Sequence, residues 1–144
     1  MTHADAGRYA AKHGNGTPDA RIAAAVRQGL AAGELTCAAA ERVAGELGVP
    51  MAEVGRTADL LEIRISRCQL GLFGYAGPGG RAVTPLSAVD PSLEAAIRSR
   101  LSGKKLPCAA AWEIAAGRNI PRMEVCGACE TLKIKVKPCQ LGAF

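Results

Sequence analysis

Residues 37–73 and 108–144 align without a gap and share 15 identities in 37 positions, from Cys37-Ala38-Ala39-Ala40 matching Cys108-Ala109-Ala110-Ala111 to Cys68-Gln69-Leu70-Gly71 matching Cys139-Gln140-Leu141-Gly142. Such a match reads as an internal duplication. A repeat of this length is one supersecondary unit, and two copies are too few for a solenoid. The chain therefore divides on paper into a polar tail (1–17), a first repeat (18–75), a linker (76–90) and a second repeat (91–144).

Each repeat has the same punctuation. Thr17-Pro18 and Asp90-Pro91 put a capping residue before a proline suited to a first helical turn, which predicts a helix in each copy. Ile22, Val26 and Leu30 in one copy, and Leu93, Ile97 and Leu101 in the other, recur at helical spacing and mark the buried face. Gly33 and Gly103 are read as the stops. A short extended piece precedes a second helix that opens at Cys37 or Cys108 and runs to Gly48 or Asn119. After Pro50 or Pro121 a third helix begins. The alternation Leu61-Glu62-Ile63-Arg64-Ile65 and Leu132-Lys133-Ile134-Lys135-Val136 predicts a half-buried strand, with the glycine-bearing CQLGxF segment turning back beside it.

Helix, short strand, helix, tight turn, helix and strand is the order of a winged helix. Ala44, Gly48 and Val54, with Ala115, Asn119 and Val125, stand where a helix-turn-helix wants a small residue, a turn former and a buried β-branched residue. On these residues the chain resembles a tandem winged helix-turn-helix protein, mainly α with small β wings, over residues 18–75 and 91–144. Arg118 stands where the first copy has apolar Leu47, a departure from the pattern. The resemblance implies double-stranded DNA as partner and transcriptional regulation as function.

Charge divides unequally between the copies. Residues 91–144 hold nine basic and four acidic side chains, whereas residues 18–75 hold six and seven. An anionic partner is thus expected at the second copy. Lys133, Lys135 and Lys137 alternate along its strand, with Lys104 and Lys105 on the short extended piece, as candidate phosphate contacts. Arg122 and Arg56 are the candidate contacts on the third helices. Those helices read DNA poorly, because Met51, Glu53 and Asp59 share the expected exposed face with Arg56, and Glu124 and Glu130 share it with Arg122. A solvated edge strand explains the lysines equally well. Aromatic residues make up 3% of the chain, too few for a base-stacking platform.

Six cysteines admit two readings. Cys126-Gly127-Ala128-Cys129 has the spacing of a thiolate metal pair, and with Cys108 and Cys139 it would supply a zinc or iron-sulfur site. The aligned residues in the first copy are Gly55 and Ala58, so close packing of small side chains is favoured and no cofactor is expected. Cys37, Cys68, Cys108 and Cys139 recur in both copies as candidate redox thiols, against the simpler reading of cysteine filling an apolar niche.

Catalysis finds no footing. His3 and His13, the only histidines, fall in the polar tail, and Gly77-Pro78-Gly79-Gly80 has no phosphate-loop lysine and reads as a hinge or turn. A non-catalytic, cytoplasmic protein without a membrane span is expected. Three functions stay in play: a DNA-binding regulator, with or without homodimerisation; a docking adaptor or accessory subunit of a redox or metalloenzyme complex; and a thiol or metal sensor.

Overall fold

The computed structural model describes residues 7–14 and 16–144, so His3 lies outside the described residues. The described part is mainly helical, with six α-helices and four two-residue strands. It forms two compact units: unit 1 takes the described residues up to Cys68 together with Gln140–Phe144, and unit 2 takes Gln69–Cys139.

Unit 1 holds α1 (Ala20–Gln28), β1 (Leu35–Thr36), α2 (Cys37–Leu47), α3 (Met51–Leu60) and β2 (Ile65–Ser66). The start of α1 differs from expectation. Asp19 is its N-cap and accepts hydrogen bonds from the amides of Arg21 and Ile22, both at 2.9 Å. A carboxylate that satisfies two amides outcompetes a threonine two residues upstream. The end differs too: α1 stops at Gly29, and Gly33 serves a turn at φ 80° that lets Ala31 and Glu34 pair. Thr36 caps α2, and Gly48 closes it in the left-handed conformation. Val26, Leu35, Ala40, Val54 and Ile65 form a core fully removed from water.

Unit 2 holds α4 (Pro91–Ser99), β3 (Lys105–Leu106), α5 (Cys108–Arg118), α6 (Arg122–Leu132) and β4 (Lys135–Val136). Asp90 caps α4, as its sequence predicts, and Asn119 takes the left-handed turn that ends α5. Ala115 is buried and Val125 fully so, as their positions in the repeat require.

The β-patterned segments become strands only at their ends. Each third helix runs right up to the alternation, ending at Leu60 or Leu132, with Glu62 (φ 56°) or Lys133 (φ 59°) in the left-handed region beyond it. A residue there turns the chain sharply, so two residues per copy remain extended. They pair in parallel, Leu35 with Ile65 and Thr36 with Ser66 in unit 1, Lys105 with Lys135 and Leu106 with Val136 in unit 2. Parallel pairing joins strands separated by a helical pair. Among the described residues no antiparallel wing hairpin extends from either unit.

The two tails of the repeat also behave unlike the sequence picture. Residues 140–144 pack into unit 1, where a β-carbon built on Gly55 of α3 would lie 1.9 Å from the Leu141 carbonyl oxygen. Leu141 and Ala143 are buried, so the end of the chain packs. Residues 76–90, read as a linker, lie partly along α6 in unit 2: the Leu86 amide donates to the Gly127 carbonyl at 3.2 Å, the Thr131 hydroxyl donates to the Leu86 carbonyl at 2.6 Å, and Arg81 pairs with Glu130. Among the described residues no helix is long and apolar enough to cross a membrane.

Candidate functional site

A helix that reads DNA must present one face to solvent. The third helices do so only in their first turn, at Ala52 and Glu53 of α3 and Glu124 of α6. In α6 the five consecutive residues Val125, Cys126, Gly127, Ala128 and Cys129 are all buried, and five residues exceed one helical turn, so protein surrounds this stretch on every side. In α3, Val54, Gly55, Thr57, Ala58 and Asp59 are buried and Arg56 between them is half-buried.

Asp59, expected on the exposed face, is 2% exposed. It is covered by a 3-10 turn over Tyr9–His13, whose His13 Nε2 and Lys12 Nζ lie 2.9 and 3.0 Å from Asp59 Oδ2. Glu62 completes the attachment by accepting from the Tyr9 and Ala10 amides at 2.9 and 2.8 Å. An acidic side chain at the amino end of a helical turn satisfies amides that have no partner within it. His13 is therefore not part of a loose tail, and sequence reading missed the docked turn because its two anchors, Asp59 and Glu62, are about 50 residues away in the chain.

The two helix arginines are engaged as well. Arg122 stacks over Trp112, 3.7 Å from the ring centroid, and donates to Gln69 Oε1 at 2.9 Å. Arg56 is half-buried, and a β-carbon on Gly16 would meet its guanidinium at 2.5 Å. Neither side chain is presented for base contact.

The five lysines are placed differently. Lys104, Lys105, Lys133, Lys135 and Lys137 are all exposed. Lys105 and Lys135 are register partners on the β3–β4 ladder, so two ammonium groups leave neighbouring strands at the same level. Among the described residues none of the five side chains has a hydrogen bond or ion pair. Like charges directly opposite on a ladder are destabilising.

Unit 1 shows the alternative arrangement. The residues aligned with Lys105 and Lys135 are Glu34 and Arg64, and they form an ion pair at 3.8 Å. Lys133 aligns with Glu62, which the 3-10 turn occupies, and Lys137 aligns with Ser66, which is buried. Unit 1 thus neutralises this surface internally, while unit 2 leaves it uniformly cationic. The constant register of the repeat contains this contrast, although it becomes meaningful only once the strands are known to pair.

The cysteines divide into two groups. Cys126 and Cys129 are buried within α6, and burial, reinforced by the Glu130 carboxylate, pushes the Cys129 thiol up to about 11. A thiol held protonated is a poor nucleophile and a poor metal ligand. Among the described residues no three His, Cys, Asp or Glu side chains are grouped to hold a metal ion. Cys37, Cys68 and Cys108 are buried, and Cys139 is half-buried. A shallow pocket of about 480 Å³ in unit 2 is lined by Leu86, Leu93, Ile120, Asp90, Arg118 and Glu124 among others, but its Arg118 already contacts Ser92 and Asp90.

No protein-family model matches the chain, and no match is found among curated proteins or solved structures.

Proposed function

We propose that this is a non-catalytic DNA-binding regulator that holds the phosphate backbone with the lysine ladder of unit 2, with no helix in the groove. The helix-strand-helix-turn-helix-strand order in both units supports descent from a duplicated winged-helix ancestor in which short parallel ladders stand in place of wings. The observation carrying the function is the opposed pair Lys105 and Lys135, without an ion pair among the described residues where unit 1 pairs Glu34 with Arg64. A folded protein that tolerates such repulsion gains it back when polyanionic charge arrives. Unit 2 is correspondingly basic, with ten basic and five acidic residues in 69–139.

Phosphate contact by lysine gives affinity and salt dependence but little base selectivity. Duplex DNA titrated between roughly 50 and 200 mM salt should show a log–log slope of up to about −4.5 if all five lysines engage, and Lys105→Glu with Lys135→Glu should reduce that slope by about 2. Retention of the full slope in the double variant would refute the reading. The enclosure of α3 and α6 favours a second reading, docking of an acidic protein as an adaptor or accessory subunit. Equal binding of polyglutamate and DNA at matched charge concentration would select it.

A further inference from the structure

The lysine ladder of unit 2 ends at two thiols. The Lys137 amide donates to the Leu106 carbonyl at 2.9 Å, and the next link is the Cys108 amide donating to the Pro138 carbonyl at 3.1 Å. That carbonyl is one peptide unit from the Cys139 α-carbon, so the α-carbons of Cys108 and Cys139 lie within about 7 Å, the range a disulfide spans. Cys108 is the first residue of α5 and is buried. Cys139 is half-buried, open enough for a small oxidant, whereas Cys126 and Cys129 are sealed inside α6.

We infer that Cys108 and Cys139 are a modification site, a thiol pair that a peroxide converts to an intrachain disulfide. The Cys139 thiolate attacks one peroxide oxygen, the O–O bond breaks, and the departing hydroxide leaves as water. The Cys108 thiolate then attacks the Cys139 sulfur and displaces the sulfenic oxygen as a second water. Two thiols are oxidised by two electrons, and one hydrogen peroxide becomes two waters. The aligned pair of unit 1, Cys37 and Cys68, is buried at both positions and stays reduced under the same exposure.

The test treats the full-length reduced protein with one equivalent of hydrogen peroxide, blocks remaining thiols and maps the peptides by mass. Expected is a loss of about two mass units located in a Cys108–Cys139 cross-link, reversed by dithiothreitol. The Cys139→Ser variant should form none, and the Cys126→Ser/Cys129→Ser variant should form it unchanged. A cross-link at Cys126–Cys129 or Cys37–Cys68, a bond between chains, or a Cys139 sulfinate without a cross-link would overturn the assignment. The wild-type map decides even where a variant fails to fold.

Discussion

The β1–β2 surface of unit 1 and the β3–β4 surface of unit 2 start from aligned residues and reach opposite electrostatic states. In unit 1, Glu34 answers Arg64, and Glu62 is occupied by the Tyr9 and Ala10 amides. In unit 2 the same three positions are Lys105, Lys135 and Lys133, exposed and, among the described residues, without an acidic partner. The exposed Glu34–Arg64 pair is worth at most about 1 kcal/mol, so stability alone does not explain why the units differ. The difference lies in what each surface offers to solvent: unit 1 answers its charges within its own chain, and unit 2 leaves Lys105, Lys133 and Lys135 exposed.

The comparison extends to how each third helix is covered, and the largest expected effect lies there. Gly55→Ala would force a methyl group into the Leu141 carbonyl of the packed C-terminal tail, whereas the same change at Gly127 meets the Thr84 carbonyl at 2.9 Å and the movable Leu86 side chain at 3.2 Å. Urea denaturation should show a loss of about 3 kcal/mol or more for Gly55→Ala and about 1–2 kcal/mol for Gly127→Ala. Equal losses would mean that the two coverings are equivalent.

A charge exchange sharpens the functional half of the contrast. Glu34→Lys gives unit 1 the unbalanced ladder of unit 2 and should raise duplex DNA affinity several-fold at low salt, an effect that vanishes as salt rises. Unchanged affinity at low salt would show that a basic ladder is not sufficient for binding.

The smallest effect is alkaline. Cys129 ionises near 11 in the folded protein against an ordinary value of 9.0, because burial disfavours the thiolate. Its folded value lies above its unfolded one, so its contribution to stability is complete below about pH 9 and is lost as pH climbs toward 11. Denaturation midpoints of the wild type should fall across that window, and Cys129→Ala, which creates little extra volume, should flatten part of the fall. An identical pH dependence in both proteins would remove the assignment.

The sequence by itself determined the local frame. The start of α4 at Asp90-Pro91, the left-handed stops at Gly48 and Asn119, buried Val54 and Val125, and a mainly helical chain all follow from residue conformational preference and apolar spacing, which act within a few residues. It also located the excess of positive charge. Only the tertiary structure decided that residues 140–144 close unit 1, that Tyr9–His13 dock on Asp59 and Glu62, that the third helices are enclosed, and that Lys105 stands beside Lys135. Those outcomes depend on which distant groups meet, and pairing across 30 to 90 residues leaves no periodic signal in the chain. Charge could be counted from the letters, but whether a charge is answered depends on its neighbour in space.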